Sequence, residues 1–195
     1  MFNPINKISE WNFKKNVSKL VPHLEKITTH LTLQEKIRLY RLVQNNPLFV
    51  LVEIGSYLGA SSLCIAAGMK EKSKLYCVDT WHNDAMSEGG RDTYEEFLNN
   101  VQLFHSKITP LRGNSHSIAE TFEDSVDFLF LDGDHSYEGV KTDIEAWFPK
   151  LRSGGVIAMH DIGWAWGVQK VLYDVVMPQT CKHGELPNLF WAVKI

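Results

Sequence analysis

An α/β fold with a doubly wound parallel sheet is the architecture this 195-residue chain predicts, on two observations. From Leu48 onward, short runs rich in β-formers alternate with helical stretches. Several of those runs are apolar on consecutive positions, as strands covered on both faces require. Such alternation implies right-handed crossovers with helices on either side of one sheet.

Up to about Asn46 the apolar residues recur at helical spacing: Val17, Leu20 and Leu24, then Leu33, Ile37 and Leu42. Thr32 reads as an N-cap and Glu35, three positions on, as its capping-box partner. Residues 1–46 form an N-terminal helical extension and residues 47–195 the sheet domain. The strand runs are 48–55, 74–81, 108–114, 126–134, 154–162 and 188–195. Between them, helices are expected over Ala60–Met69, Thr93–Phe104, Ser117–Phe122, Tyr137–Leu151 and Val168–Met177. The polar, glycine-bearing stretch from His82 to Asp92 reads as a surface loop or a lid.

A prior of roughly 150 residues per domain makes this one domain with a modest extension. A 44% hydrophobic, 22% charged composition lies within the globular range and excludes disordered and collagen-like classes. Twenty basic against 23 acidic residues leave a net charge of −3, too weak a basic footprint for a nucleic-acid grip. Cys64, Cys77 and Cys181 are odd in number and widely spaced, which indicates neither a disulfide framework nor a zinc knuckle. The opening residues lack the apolar run of a signal peptide, and no run approaches the roughly 18 apolar residues of a membrane span. These features lead us to expect a soluble, cytoplasmic protein with no membrane partner.

In an open parallel sheet, ligands bind outside the carboxyl ends of the strands. That rule selects Glu53–Gly59, Asp79–Trp81, Gly113–His116, Asp132–His135 and His160–Asp161. The first cluster, EIGSYLG, is a glycine turn leading into a helix, where a ligand can approach backbone N–H groups. Its G-x-x-x-G spacing departs from the dinucleotide fingerprint, so nicotinamide and flavin cofactors lose support. Asp79 suits the two hydroxyls of a ribose or a simple turn. Asn114, Ser115 and His116 could edge an adenine ring.

The segments VEIGSYLGASSL, CVDTW, LRGNSHS and FLFLDGDHSYEGVKTDIEAWFPKLRSGGVIAMHDI together resemble the class I S-adenosylmethionine-dependent methyltransferases. The branch they look most like includes the macrocin O-methyltransferase and cephalosporin hydroxylase-like proteins. The resemblance spans about residues 48 to 165 and implies a Rossmann-like, seven-stranded, mostly parallel sheet with an antiparallel last strand, NLFWAVKI. It implies that Glu53, Gly55 and Gly59 surround the methionine portion of S-adenosylmethionine, with Ser56 and Ser61 of the same segment also at the cofactor. Asp79 would hold the ribose, Thr80 and Trp81 would flank it, and Asn114, Ser115 and His116 would border the adenine. Asp132 would close the methionine side and face the acceptor.

In similar metal-dependent O-methyltransferases, an acid at position 132 and an acidic or amide pair at 160 and 161 hold a divalent cation. Asp132, His160 and Asp161 are therefore the candidate metal ligands, for Mg²⁺, Mn²⁺ or another ion. His160 departs from the carboxylate of the macrocin-like enzymes. Imidazole suits Zn²⁺, Fe²⁺ or Mn²⁺ better than Mg²⁺. Three arrangements follow: a softer metal, a weaker Asp132–Asp161 site, or a structural His160 with no metal. His135 takes the place of the family's general base, with Asp132 beside it at the reaction centre, and the ordinary pKa of a histidine, near 6.5, suits that role. Its alternative is a helix cap; Asp134 reads as an orienting or capping group.

Trp81, Trp164 and Trp166 serve as acceptor walls or as core, and the helical charges Lys141, Asp143 and Glu145 read as solvated. The expected activity is methyl transfer to a hydroxyl of a small acceptor, a sugar or glycosylated metabolite. The rivals are a metal-dependent hydrolase or oxygenase using His135, His160 and Asp161, and a cofactor-binding domain without catalysis. The length leaves only the N-terminal extension and the 82–92 loop to build an acceptor pocket, and the extension is of a kind that packs against a second subunit.

Overall fold

A computed structural model of the chain describes residues 13–15, 17–18, 20–82 and 89–195. A short helical turn, α1 (Val21–Leu24), precedes α2 (Leu33–Gln44), whose capping box is present as expected. Glu35 N donates to Thr32 Oγ1 at 3.3 Å and Thr32 N donates to Glu35 Oε2 at 2.7 Å. The sheet region runs β1 (Val50–Ile54), α3 (Ala60–Gly68), β2 (Lys74–Asp79), α4 (Tyr94–Val101), β3 (Ile108–Arg112), α5 (Ser115–Thr121) and β4 (Val126–Leu131). It continues through α6 (Tyr137–Trp147), β5 (Leu151–His160), α7 (Trp166–Val171), β6 (Thr180–Leu186) and β7 (Leu189–Lys194).

The seven strands lie in the order β3-β2-β1-β4-β5-β7-β6. All neighbours from β3 to β5 pair in parallel, while β7 runs antiparallel between β5 and β6. NLFWAVKI is thus the inserted antiparallel strand. The chain winds outward from β1 to β3 and returns to β4 on the other side, so the switch point lies between β1 and β4. The ladder continues past the strand ends: Asp132 N donates to Ile54 O, Gly55 N to Val78 O and Gly113 N to Asp79 O, each at 2.9 Å. Those bonds hold the loop residues at the top of the sheet in register.

Alternation along β1 divides the core. Leu51 belongs with Leu39, Leu63, Ile65, Phe97, Phe128 and Phe130, the layer of α2, α3 and α4. Val52 and Ile54 belong with Ile144, Trp147, Met159 and Val168 on the α6–α7 side. The N-terminal helices share the first of these cores. Gly68 brings α3 against α2, since a methyl at Gly68 would lie 2.5 Å from the Tyr40 carbonyl and 3.2 Å from Val43 Cβ.

The departures from expectation have local causes. Strand β6 was not anticipated because its sequence, TCKHGEL, is polar; it is an edge strand with only its ends buried. Its Gly184 makes room for the Trp191 indole. The helix expected to reach Leu151 ends at Trp147, a 3₁₀ turn carrying Pro149 follows, and Leu151 already pairs with Val126 in the sheet. Among the described residues no helix is long and apolar enough to cross a membrane.

Gly68→Val should lower stability by about 2 kcal/mol, because backbone rather than a flexible side chain opposes the added atoms. Urea unfolding that leaves the midpoint unchanged would show that α2 and α3 can separate without cost.

Candidate functional site

The site is built on close backbone approaches at the switch point. Gly55 (φ +84°) turns the chain from β1 so tightly that any side chain would overlap the Asp132 carbonyl. Asp79, at the end of β2, braces this turn: Oδ2 accepts from Tyr57 N at 2.8 Å and Oδ1 from Trp81 N at 2.7 Å. Both donors belong to residues with left-handed backbone, Tyr57 at φ 45° and Trp81 at φ 53°. The carboxylate thus sustains two strained turns while keeping further lone pairs for a ligand.

A cleft of about 580 Å³ opens above these turns. Gly55, Tyr57, Asp79, Thr80, Asn114, Ser115, His116 and Asp132 line it, together with Asp134, Glu138, Thr142 and Asp143. Asn114 caps α5 by accepting from Ser117 N at 3.3 Å, and Ser115 Oγ accepts from Trp147 Nε1 at 2.8 Å. A second recess, about 70 Å³, shares Gly55, Tyr57 and Asp132 with the cleft. It is bounded by Ser56, Ser61, His135, His160 and Asp161, and across from them by Thr28–Leu31 of the N-terminal segment.

A cluster of charges lies at the recess and reaches the cleft through Asp132. His160 is buried, with Nδ1 3.0 Å from Asp132 Oδ1 and 3.2 Å from Asp161 Oδ1. Its Nε2 lies 3.6 Å from Glu35 Oε2, itself buried. Burial opposes a charge on the ring, but the three carboxylates outweigh it and push His160 up to about 12. The imidazolium is the counter-ion of the cluster. Burial raises the Asp132 carboxyl despite its contact with His160. Asp161 is held well below the usual carboxylate range: burial works against it, but hydrogen bonds from His135, His160 and Asn188 prevail.

Asp161 also orients His135. Its Oδ2 meets His135 Nε2 at 2.8 Å, while Oδ1 accepts from Trp164 Nε1 at 2.7 Å and Asn188 Nδ2 at 3.0 Å. The Trp164 ring packs against His135 with centroids 5.0 Å apart. The hydrogen bond that His135 donates to Asp161 raises the His135 pKa against the effect of its partial burial. A histidine held by a carboxylate in a recess that adjoins the cleft has the arrangement of a general base.

Asp132, His160 and Asp161 each offer one donor atom, and these atoms all lie within 4.8 Å of one another. One imidazole and two carboxylates suit Mn²⁺, Fe²⁺ or Zn²⁺, and Glu35 behind Nε2 is the outer carboxylate that metal-bound histidines commonly carry. A cation held there would take the place of the Nδ1 proton. The alternative trio of His135, His160 and Asp161 does not converge in this way. The two rings address opposite oxygens of Asp161.

Three residues expected at the cofactor stand apart from the cleft. Glu53 points from β1 into the α3 layer, fully buried, where Ser56 Oγ (2.8 Å), Ser62 Oγ and Cys77 Sγ (3.3 Å) donate to it; burial raises its pKa. Strand alternation, which places Glu53 on the face of Leu51, is the reason. Gly59 caps α3 at φ +86° and lets α4 approach, since a methyl there would meet Val101 Cγ1 at 2.7 Å. Trp81 is core: its ring packs on Tyr94 and Phe97, and Nε1 donates to Tyr57 O at 2.9 Å. Ser56 and Ser61 border the smaller recess instead.

Trp164 and Trp166 are largely exposed, whereas Asp134 accepts from Ser136 N at 2.6 Å in a local turn. The expected lid lies mostly outside the described residues, at 83–88; its base is closed by Arg91 N donating to His82 O at 3.1 Å and Thr93 N to Trp81 O at 2.9 Å.

Glu35 and Asp143 have surroundings that their local sequence did not announce. Glu35 caps α2 as expected and also faces His160, a contact no local pattern announces. Asp143 is not solvated: it shares the inward face of α6 with Val140 and Trp147, at the i, i+3 and i+7 positions that a helical wheel would have exposed. Lys141 and Glu145 are on the outside, 3.8 Å apart.

Residues 52–162 match a family model described as a methyltransferase domain. The chain is 30% identical over 159 residues to uncharacterized protein y4gI of Sinorhizobium fredii, covering 74% of this chain and 17% of that protein. It is 27% identical over 132 residues to uncharacterized protein R132 of Acanthamoeba polyphaga mimivirus, covering 64% and 59%. The chain therefore spans less than two thirds of either relative's length.

Among solved structures, the O-methyltransferase NovP superposes with a TM-score of 0.74 at 13% identity, covering 95% of this chain and 99% of that one. The O-methyltransferase TomG from Streptomyces achromogenes, in complex with SAM, gives 0.69 at 11%, covering 97% and 90%. The O-methyltransferase from Bacillus cereus in complex with SAH gives 0.67 at 14%, covering 98% and 94%. Identities this low speak to the shared fold.

The charge cluster dictates a pH dependence. His160 is raised in the fold from 6.5 to about 12, so its contribution to stability is complete below pH 6.5 and declines as pH rises toward the folded value. Asp161 is lowered from 3.8, so its contribution is present above that value and is lost in acid. In chelator-treated protein, urea unfolding should show stability falling from pH 6.5 to 9. His160→Gln should lose about 3 kcal/mol near neutrality and lack that alkaline decline. A parallel decline in both proteins would refute the cationic assignment.

Proposed function

The chain belongs to the methyltransferase-domain family, and from that premise we propose that it transfers a methyl group from S-adenosylmethionine to a hydroxyl of a small polar acceptor. The single observation that carries the reading is the position of Asp132. It borders both the large cleft, which is of a size for the cofactor, and the recess that holds His135. The Asp79 carboxylate, with lone pairs facing the cleft, takes the ribose hydroxyls, and Asn114, Ser115 and His116 border the base. Acidic groups around the cleft complement the sulfonium and ammonium charges of the cofactor.

Transfer is an in-line displacement in which the S–CH₃ bond breaks as the acceptor O–CH₃ bond forms. His135 takes the hydroxyl proton on the ring nitrogen not bonded to Asp161, and Asp161 stabilises the imidazolium that results. Holding both reactants across Asp132 supplies proximity. When present, a divalent cation held by Asp132, His160 and Asp161 would lower the pKa of the acceptor hydroxyl.

Thr28, Thr29 and His30 offer hydroxyl and imidazole groups on one side of the recess, and His135, backed by the Trp164 ring, faces them from the other. That combination favours a sugar or glycosylated metabolite as acceptor.

S-adenosylhomocysteine at saturation should raise the melting temperature by several degrees, and no shift at all would sink the cofactor reading. With radiolabelled S-adenosylmethionine and a panel of glycosides, His135→Ala should cut kcat by about 10²–10⁴-fold. The affinity of that variant for S-adenosylhomocysteine should stay within about twofold of the parent, since His135 borders the recess rather than the cleft. Unchanged turnover would identify another group as the base.

A further inference from the structure

Asp143 is a carboxylate in the cofactor cleft that the mechanism above leaves unused. The other aspartates of the cleft have local partners: Asp79 has two backbone amides, Asp132 has His160 and Asp134 has the Ser136 amide. Asp143 rises from α6 beneath the turn after β4, where a methyl on Gly133 would lie 3.7 Å from Asp143 Oδ2. Its side-chain partner is Ser115, at the start of α5. Ser115 Oγ accepts from Trp147 Nε1 at 2.8 Å, so its own proton is free to point at Asp143. Trp147 thus anchors Ser115, and Ser115 and Asp143 both reach the cleft wall.

A carboxylate accepts up to about four hydrogen bonds, and Ser115 supplies one. Burial, with Asp134 adding to it and His116 opposing, pushes Asp143 up to about 6, so ionisation is costly until a donor arrives. Such a group in a ligand cleft calls for an N–H donor from the ligand. At the Asn114–His116 end of the cleft, the donor the cofactor carries is the exocyclic amino group of its base.

We propose that Asp143 reads the adenine base, accepting a hydrogen bond from its exocyclic amino group, with Ser115 as the positioning residue. This rests on the cofactor reading above. The consequence is selectivity: a 6-oxo base turns an acceptor toward an acceptor and leaves the half-buried carboxylate without its donor. Sites built around such a bond reject analogues lacking the donor strongly.

The test compares S-adenosylhomocysteine with S-inosylhomocysteine, in which a carbonyl replaces that amino group, by calorimetric titration of the full chain at pH 7.5. The unaltered protein should prefer the adenine ligand at least tenfold. Asp143→Asn, which presents an amide N–H₂, should weaken the adenine ligand and strengthen the hypoxanthine ligand, so that the preference vanishes or inverts. If Asp143→Asn is unfolded at the assay temperature, Ser115→Ala carries the test, with the preference expected to fall at least threefold. A parent protein that binds neither ligand overturns the cofactor reading and this assignment with it. A parent that binds the adenine ligand, while the variants keep its preference or weaken both ligands equally, overturns the assignment alone and leaves Asp143 a strut between α5 and α6.

Discussion

The imidazolium of His160, enclosed by Asp132, Asp161 and Glu35, is the interaction on which the rest of the site depends. These four groups come from the end of β5, the end of β4 and the first turn of α2. Their charges are too close to coexist without the cation at the centre. Because one carboxylate belongs to the N-terminal segment, the cluster also fastens that segment to the top of the sheet. The loop Thr28–Leu31, just ahead of α2, is thereby held as a wall of the recess. A single buried charge thus ties the ends of β4 and β5 to the N-terminal segment and fixes one wall of the recess.

A second constraint is steric. The turns after β1 and β4 touch through Gly55 and the Asp132 carbonyl, with no room for a side chain between them. That approach lets one residue, Asp132, border both spaces. Asp79 complements it from β2 by holding two left-handed residues in place while it lines the cleft. His135 gains a fixed orientation from Asp161, and Asp161 is fixed by Trp164 and Asn188, the latter reaching in from the β6–β7 turn. Every strand end at the switch point therefore contributes a group whose neighbour is itself constrained.

Much of this was legible before the structure. The parallel core was announced by apolar runs in alternation with helices, the capping box by Thr32 and Glu35, and the site by the strand-end rule applied to Asp79, Asp132, His135, His160 and Asp161. What escaped had physical reasons. Strand β6 carries a polar edge sequence whose pairing depends on β7 rather than on its own hydrophobicity. Glu53 ends a strand, yet its parity turns it into the α3 layer. Gly59 serves the approach of two helices, which a glycine in a loop motif does not distinguish from the approach of a ligand. Asp143 lay in plain view on an apolar helical stripe, and reading it as a surface charge ignored its position relative to Val140 and Trp147.

The sequence by itself determined the alternation of strands and helices, the parallel core and the set of strand-end residues from which a site could be made, because backbone periodicity and turn chemistry are local; the antiparallel last strand followed only from the family resemblance. Only the tertiary structure decided which of those residues share an environment. Glu35 meets His160 and Ser115 meets Asp143 by packing between elements distant in the chain, and the charge each ionisable group carries follows from those contacts. Local pattern therefore sufficed for the scaffold, while the electrostatics of the site required the fold.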